Sequence, residues 1–356
     1  MNSFHFPELV SPYLNNLMER VKKERGIDSA EYKALYYQYI STDIEKVANK
    51  ERNAKHYEAG YDSNSALRFM ERLYKRQATV DITLACVAHC RYCLRQNYEL
   101  GALTEEDIVE LSHIMGADPF LKEILITGGD PLLANSTLIM LVEQIIKNAP
   151  NIEIIRIGSR LPVQDPDRIK DELYECFDRN SGMVTFELAM QINHSIELQP
   201  NSIEKIERLK DVGVKLYAQN VLLKGVNDNF DSLIDLYDKL RYLNIESHYL
   251  FHPVPIERTH RFRMSLRRFL DFARLLSSSG EIPGRSKPMF SIMTDIGKVT
   301  LYDGCLGEKD EEGFYDIYTG YRLEDRRKWH KDYKLPESAS VDTDGFLRVK
   351  YLDGGE

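Results

Sequence analysis

The sequence predicts an α/β protein: a partial (β/α) barrel with N-terminal helices and a small C-terminal extension. From about residue 80 onward, apolar runs of strand length alternate with amphipathic stretches of helical length. Strands and helices that alternate in this way form right-handed βαβ units and a parallel sheet. Seven strand-like runs are enough for the sheet to curl into a full or partial barrel, whose active site lies at the carboxyl ends of the strands.

The individual elements follow from the hydrophobic pattern. Residues 1–75 are expected to be helical, because apolar residues recur at helical intervals over 27–54 and neither glycine nor proline occurs between 27 and 58. The predicted strands are 80–85, 123–127, 153–158, 183–190, 214–223, 247–251 and 289–294. The predicted helices between them are 105–115, 136–148, 167–178, 201–212, 229–243 and 265–277.

Three regions are expected along the chain. A helical region covers residues 1–75 and the barrel core covers 76–304. A C-terminal extension, rich in Gly, Asp, Glu and Tyr, covers 305–356.

The composition is that of a globular protein, with 43% hydrophobic and 29% charged residues in a chain of 356. A net charge of −9 disfavours nonspecific nucleic-acid binding, which requires a basic surface. No run approaches the roughly 18 apolar residues of a membrane span. The N-terminus lacks the basic start and apolar run of a secretory signal peptide. Five cysteines, an odd number, indicate no disulfide framework. We therefore expect a cytoplasmic protein without nucleic-acid or membrane partners.

Three cysteines, Cys86, Cys90 and Cys93, lie within eight residues in a C-x3-C-x2-C pattern. Soft thiolates favour iron–sulfur clusters or zinc over hard cations. A [4Fe-4S] cluster has four thiolate ligands, and no fourth cysteine lies nearby, so one iron would remain open to an outside molecule. Because the triplet follows the first predicted strand, it is expected at the mouth of the barrel.

Two other interpretations of the triplet are possible. A structural zinc site would need a fourth ligand, which His89 could supply, although zinc ribbons usually present their ligands in two separated pairs. A disulfide is the other, and Cys176 and Cys305 lie far from the triplet in sequence.

A second motif is the apolar run 124–133, which contains Gly128, Gly129 and Asp130. Paired glycines at the end of a strand allow close approach to the bare backbone. Taken alone, the pair could simply form a turn.

Together these motifs resemble the radical S-adenosylmethionine (SAM) enzymes, whose pattern also has an aromatic residue before the last cysteine, here Tyr92. The resemblance implies a TIM-like barrel of radical SAM type and a [4Fe-4S] cluster. The open iron of that cluster would bind the amino and carboxylate groups of SAM. It further implies that the run Gly128, Gly129 and Asp130 receives the amino group of SAM.

Three further stretches resemble the lysine 2,3-aminomutase-like branch of this superfamily. They are 156–163, the pair Asn193–His194, and 213–228, and the similarity extends over about 67–304. Arg160 falls on the arginine of the branch's third-strand block. Gln219 corresponds to a glutamine that contacts SAM.

Enzymes of this branch also use pyridoxal phosphate. The resemblance places Arg72 and Arg76 near a phosphate-binding arginine pair, although both lie one residue further from the first cysteine than in the branch. Their spacing would put both on one face of a predicted helix, and an exposed, solvated face is the alternative. Arg95 falls on the arginine that pairs with the substrate carboxylate.

Two lysines compete for the covalent attachment of pyridoxal phosphate. Lys298 follows the strand predicted at 289–294, as the order of elements requires, but Asp-Ile-Gly before it could be only a hairpin turn. Lys287 lies in a more glycine-rich stretch before that strand. We favour Lys298.

The substrate is less well defined by the pattern. Val254 falls near the aspartate that binds the distal ammonium of lysine in the branch, so lysine is disfavoured unless Glu257 or Asp295 replaces that aspartate. His252 and His260 could pair with an acidic side chain, although a structural role is more common for such a histidine.

The resemblance thus implies an amino-acid 2,3-aminomutase, an isomerase that acts on a small amino-acid substrate with the cluster, SAM and pyridoxal phosphate as cofactors. A reductant such as flavodoxin or ferredoxin and a homo-oligomer are also expected. One alternative is a radical SAM enzyme without pyridoxal phosphate that acts on another small molecule or a peptide. The other is an iron–sulfur electron-transfer or metal-sensing protein.

Overall fold

The structure, a computed structural model, describes residues 6–46, 66–95, 101–256, 258–302 and 304–355. Its main feature is a curled nine-stranded sheet whose strands follow one another in sequence order. The strands are β1 (Met70–Glu71), β2 (Gln77–Thr83), β3 (Glu123–Gly128), β4 (Ile154–Ser159), β5 (Thr185–Met190), β6 (Lys215–Val221), β7 (Glu246–Phe251), β8 (Met289–Thr294) and β9 (Gly297–Thr300). Strands β2 to β8 are mutually parallel, which confirms the predicted partial barrel.

The two edges of the sheet are antiparallel additions. Strand β1 pairs with β2, and β9 folds back on β8 through a tight hairpin. The hairpin brings Lys298 opposite Met293, one register position from the hairpin turn. Backbone N–H of Lys298 donates to the hydroxyl of Tyr74, a residue that follows β1, so the two edges of the sheet approach each other.

Helices follow the parallel strands much as predicted. They are α1 (Pro12–Arg25), α2 (Ala30–Tyr39), α3 (Glu105–Ala117), α4 (Asn135–Asn148), α5 (Leu161–Gln164), α6 (Asp171–Asn180), α7 (Pro200–Asp211), α8 (Phe230–Tyr242), α9 (Leu266–Ser278) and α10 (Leu323–Trp329). The helical stretch expected over 27–54 is shorter. Helix α2 begins after the N-cap Ser29 and ends at Tyr39, and residues 47–54 lie outside the described part of the chain.

The alternation along β2 explains how the barrel divides apolar from polar space. Ala78, Val80 and Ile82 are buried in the core, whereas the side chains between them are only partly buried. Successive residues of a strand point to opposite faces, so the apolar face packs under the helices. The polar face turns to the barrel interior.

Charged side chains from neighbouring strands neutralise one another inside the barrel. The Arg156 guanidinium lies 2.8 Å from a carboxylate oxygen of Glu123 and 3.0 Å from one of Glu187. It also lies over the Tyr217 ring, 5.3 Å from the centroid. This cluster of paired charges closes the interior toward the amino ends of the strands.

A close backbone contact joins the end of β3 to the loop after β2. The N–H of Gly129 donates to the Thr83 carbonyl at 2.5 Å, and the N–H of Asp130 donates to the Ala85 carbonyl at 2.8 Å. A Cβ on Gly129 would lie 2.3 Å from the Ala85 carbonyl oxygen, and Gly128 has a φ of +122°. Only glycine tolerates both conditions, so the glycine pair fixes the backbone that leads into Cys86.

The C-terminal residues form a second, antiparallel sheet. Its strands are β10 (Leu306–Lys309), β11 (Phe314–Arg322), β12 (Ala339–Val341) and β13 (Phe346–Leu352), in the order β10-β11-β13-β12. Inner residues Ile317 and Val349 belong to the same apolar core as the barrel. The boundary at 304/305 therefore stays a proposal. Within the described ranges, no helix combines the length and the apolar character that crossing a bilayer requires.

We predict that Gly129→Ala destabilises the protein by about 1–3 kcal/mol, the usual cost of overpacking, and lowers its iron content because the Cys86 loop is displaced. Urea unfolding and iron analysis measure the two effects. Gly182→Ala is the matched control, since a Cβ there would meet nothing within 4 Å. Equal stability and iron content in the two variants would contradict the prediction.

Candidate active site

A cavity of about 400 Å³ lies at the carboxyl ends of the parallel strands. Its wall includes the cysteine loop, the glycine pair after β3 and, on the far side, residues of β6 to β9. This is the position at which (β/α) barrels place their active sites.

The three cysteines of the loop all line this cavity and none forms a disulfide. Burial raises the pKa of Cys86 and Cys93, that of Cys93 to about 11, and the neighbouring thiols raise both further. The thiols are therefore close enough to oppose one another's ionisation, a cost that bound metal removes because it keeps a coordinating thiol deprotonated. Such a donor set fits a [4Fe-4S] cluster with one iron open.

A single metal ion has a different geometry. Among the described residues, no group of three or more His, Cys, Asp or Glu side chains is placed to hold one ion. The ring of His89, the fourth ligand considered for zinc, contacts the N-terminal segment instead. Its Nδ1 lies 2.8 Å from the Pro7 carbonyl oxygen, and the ring stacks on Phe6 at 4.7 Å.

Arg160 lies behind the cysteine loop at the start of α5, and protein groups occupy all five of its N–H donors. Nε donates to the Gln191 carbonyl, Nη1 to Cys90 Sγ and the Tyr92 hydroxyl, and Nη2 to Gln38 and Glu197. The ion pair with Glu197 has an N–O distance of 2.5 Å, and both side chains are buried. The structure thus brings Arg160 to the cluster loop but leaves it no donor for SAM.

The pair Asn193–His194 supports this ion pair. The backbone N–H groups of both residues donate to Glu197 Oε1, at 2.8 and 2.9 Å. The Asn193 amide also donates to the Tyr92 hydroxyl at 2.6 Å, and His194 Nδ1 caps the short turn at 195–197. The pair is therefore part of the support for the cysteine loop.

Asp130 is buried and serves as a connector between strand ends. Its carboxylate accepts hydrogen bonds from the Ser159 hydroxyl and from the backbone N–H groups of Leu132, Arg160 and Leu161. The sequence predicted cofactor binding for Gly128, Gly129 and Asp130. All three line the cavity, but their contacts in the structure are with the protein's own backbone and Ser159.

Gln219 and Arg95 also face the cavity, as predicted. Gln219 lies on β6, partly buried. The Arg95 Nε atom lies 3.4 Å from a carboxylate oxygen of Asp81 on β2. The pair presents one cation at the side of the cavity next to Cys93.

Lys298 lies in the hairpin that the sequence left open as an alternative, yet it lines the cavity. Its ammonium lies over the rings of Tyr249 and Phe251, 5.2 and 5.8 Å from the centroids. Burial lowers the pKa of Lys298 to about 8, and the charge of Arg156 lowers it further. A lysine in this environment carries an appreciable fraction of neutral amine near pH 8.

Lys287 does not line the cavity. Its ammonium donates to the carbonyls of Ser277 and Ser279, at 2.8 and 2.9 Å, and so caps the end of α9. It lies before β8, at the opposite end of that strand from the mouth.

The helix expected for Arg72 and Arg76 is wrong. Arg72 follows β1 in a turn, forms an ion pair with Asp118 and donates to the backbone carbonyls of Tyr74 and Lys75. Arg76 is exposed just before β2. Neither lines the cavity, because the chain turns here from β1 into β2 instead of continuing a helix. Leu73 and Gln77 line it in their place.

The residues considered for the substrate have different positions. Val254 and His252 line the cavity, and His252 is buried between the Tyr351 hydroxyl and the Met264 carbonyl. Asp295 instead accepts a hydrogen bond from Ser338, a residue next to the C-terminal sheet. His260 lies in a short turn at 260–262, and Glu257 lies outside the described residues.

Sequence reasoning missed Glu71, which lines the cavity near Arg95 and Asp81. Burial raises the pKa of Glu71 to about 8, and its Oε1 atom has no hydrogen-bond partner in the described part of the protein. It also missed Gln38 and Gln164, which contact Arg160 and Cys90. No motif surrounds these residues, so only their position in the fold reveals them.

We predict that Glu197→Gln costs about 3–5 kcal/mol in the free energy of unfolding, because it leaves the buried Arg160 charge without its partner. Anaerobic urea denaturation measures the change. Glu143→Gln, which breaks an exposed pair with Arg179, is the control and should cost at most about 1 kcal/mol. A Glu197→Gln protein as stable as this control would contradict the assignment of the buried pair.

Comparisons with known proteins agree with this geometry. A family model described as the radical SAM superfamily matches residues 80–237. The L-lysine 2,3-aminomutase of Escherichia coli (strain K12) is 32% identical over 179 residues, which cover 50% of this chain and 52% of that protein. The L-lysine 2,3-aminomutase of Methanococcus maripaludis is 26% identical over 290 residues, which cover 81% and 64%. A solved structure described as native anSMEcpe with bound AdoMet and Cp18Cys peptide aligns with 57% of this chain and 59% of its own, at 13% identity and a TM-score of 0.44. The chain belongs to the radical SAM superfamily, in its lysine 2,3-aminomutase-like branch.

Proposed function

We propose that this radical SAM enzyme is an amino-acid aminomutase that moves an amino group between adjacent carbons of a small amino-acid substrate. One observation carries the proposal: the cysteine loop, Arg95 and the Lys298 amine face a single cavity. The loop is the place for radical initiation, and the two basic side chains are suited to hold an amino acid. The relatives named L-lysine 2,3-aminomutase support the same reaction class.

In this proposal Cys86, Cys90 and Cys93 hold the [4Fe-4S] cluster, and Gln219 orients SAM beside it. When bound and reduced, the cluster with SAM supplies a 5′-deoxyadenosyl radical that can remove an unactivated hydrogen atom. The protein's own part is to place these groups and to exclude water. The backbone bonds from Gly129 and Asp130 fix the loop, and the apolar wall limits access of solvent.

Arg95 is assigned to the substrate carboxylate. Its guanidinium has the planar fork that matches a carboxylate. The neighbouring Asp81 keeps that charge in place before substrate binds.

Lys298 is assigned to pyridoxal phosphate. A depressed pKa supports this role, because only a neutral amine attacks a carbonyl carbon. When bound, pyridoxal phosphate supplies a conjugated ring that permits the substrate nitrogen to change carbon atoms. The fit is incomplete at the phosphate end, since Arg72 and Arg76 do not line the cavity, and we assign no further step to this cofactor.

That same mismatch favours a second candidate: a radical SAM enzyme that acts on another small molecule or a peptide without pyridoxal phosphate. In that case Lys298 would bind an anionic group of the substrate directly. The two candidates share the cluster loop and differ only in the role of Lys298.

We further propose a cytoplasmic enzyme that receives its electron from a small protein such as flavodoxin or ferredoxin. Reductive cleavage of SAM consumes an electron from outside the active site, and a reducing compartment protects the cluster. A homo-oligomer stays part of the proposal.

The radical function is tested by metal analysis of protein purified without oxygen. We expect about four irons per chain with the broad visible absorption of an iron–sulfur centre, and reductive cleavage of SAM. Cys86→Ala, Cys90→Ala and Cys93→Ala should each lose both properties. Cys176→Ala and Cys305→Ala are the controls, because both residues are buried away from the cavity. Stoichiometric zinc without iron would refute the function.

The role of Lys298 is tested by borohydride reduction in the presence of pyridoxal phosphate, followed by peptide mass analysis. We expect the label on Lys298, with a yield that rises as the pH passes through about 8, because the lowered pKa frees the amine there. An ordinary lysine reaches the same point only near a pKa of about 10.4.

Two variants serve as controls for this labelling. Lys298→Ala should abolish the label and leave the cluster intact, while Lys287→Ala should keep the label. A label on Lys287 would overturn the assignment. Absence of label at either lysine, in protein that still cleaves SAM, would move the enzyme to the second candidate.

A further inference from the structure

Cys90 differs from an ordinary cluster ligand in its surroundings. Its Sγ atom receives hydrogen bonds from two side-chain donors, Arg160 Nη1 at 2.9 Å and Gln164 Nε2 at 3.3 Å. Both donors are buried, with Arg160 7% and Gln164 2% exposed. Water therefore has little opportunity to compete for the sulfur.

The fold builds the position of each donor. Arg160 and Gln164 are one helical turn apart, since the Gln164 N–H donates to the Arg160 carbonyl at 3.0 Å. The Gln164 carbonyl in turn accepts from the hydroxyl of Ser11, the N-cap of α1, at 2.5 Å. The first helix of the chain thus holds the glutamine against the cysteine loop.

The remaining contacts of Arg160 fix the direction of its guanidinium. Glu197 and Gln38 hold Nη2, and the Gln191 carbonyl holds Nε, which leaves Nη1 directed at Cys90 and Tyr92. Because every donor is in use, Arg160 can act on a cluster only through the cysteine sulfur.

Donors at a cysteine sulfur change the energy of the two oxidation states of a cluster unequally. The reduced cluster carries one more negative charge, so an N–H donor or a nearby cation stabilises it more than the oxidised form. Hydrogen bonds to the sulfurs are among the factors that set cluster potentials. The effect is stronger in a buried site, where the effective dielectric constant is low.

We propose that Arg160 and Gln164 set the reduction potential of the cluster through their hydrogen bonds to Cys90, and that Arg160 is a positioning residue for the cluster loop instead of a SAM ligand. This inference rests on the proposed cluster function. It is independent of the choice between the two candidate substrate chemistries.

The test is a potentiometric titration of the reconstituted protein without SAM, followed by electron paramagnetic resonance, with SAM affinity measured separately by calorimetry. Gln164→Leu removes one donor at similar volume. Arg160→Lys keeps the charge beside Glu197 but loses the fork that reaches Cys90. Arg156→Lys is the matched control, because that arginine is buried in the barrel but pairs with Glu123 and Glu187.

We expect both Gln164→Leu and Arg160→Lys to titrate at a lower potential than the wild type at unchanged iron content, with Arg156→Lys at the wild-type potential. SAM affinity should stay within about twofold in Gln164→Leu, a change of roughly 0.4 kcal/mol.

Three results would overturn the inference. Wild-type potentials in both variants at full iron content would refute it, and so would an equal shift in Arg156→Lys. An Arg160→Lys protein with weaker SAM binding and an unchanged potential would restore the direct SAM role. If Arg160→Lys takes up no iron, the potential of Gln164→Leu decides the matter. A wild type without an iron–sulfur centre would refute the proposed function itself, whereas shifted potentials without turnover of any amino acid would refute only the aminomutase proposal.

Discussion

The buried ion pair between Arg160 and Glu197 is the interaction on which the rest of the site depends. An unpaired guanidinium in this position would carry a large desolvation cost, so the pair and its partners form together or not at all. The network joins the ends of β4 and β5 to Cys90, Tyr92 and, through Gln38, to helix α2. The cysteine loop therefore rests on the barrel and on the N-terminal helices at once, which holds its thiols at the mouth of the cavity.

Charges inside the barrel fall into two groups with different consequences. Arg156 is neutralised by carboxylates from the two neighbouring strands and closes the interior. Above it, the amine of Lys298 lies over aromatic rings, and Oε1 of Glu71 has no hydrogen-bond partner among the residues that the structure describes. Neutralised charges stabilise the barrel, whereas groups with shifted pKa values that face a cavity are candidates for chemistry. The contrast identifies the upper part of the barrel as the reactive one.

The glycine pair after β3 shows how a motif can be located correctly and explained incompletely. The sequence predicted that the absence of a Cβ admits a ligand. In the structure the space at Gly129 is filled by the Ala85 carbonyl, and the same contact directs the chain into Cys86. The pair contributes to the cluster site by shaping the loop, and its two roles are linked because the glycines also line the cavity.

Local patterns in the sequence determined the order of strands and helices, the cysteine triplet, and the lysine that reaches the cavity. These features depend on periodicity and spacing over a few residues, and all three are present in the structure. The tertiary structure alone decided how the polar side chains are used. Arg72 and Arg76 are separated from the cavity because a turn replaces the expected helix. Arg160 is committed to Cys90 because Gln38, 122 residues away, and Glu197, 37 residues away, take its other donors. A side chain's partners are set by whichever elements the fold brings beside it, and that information is spread over the whole chain.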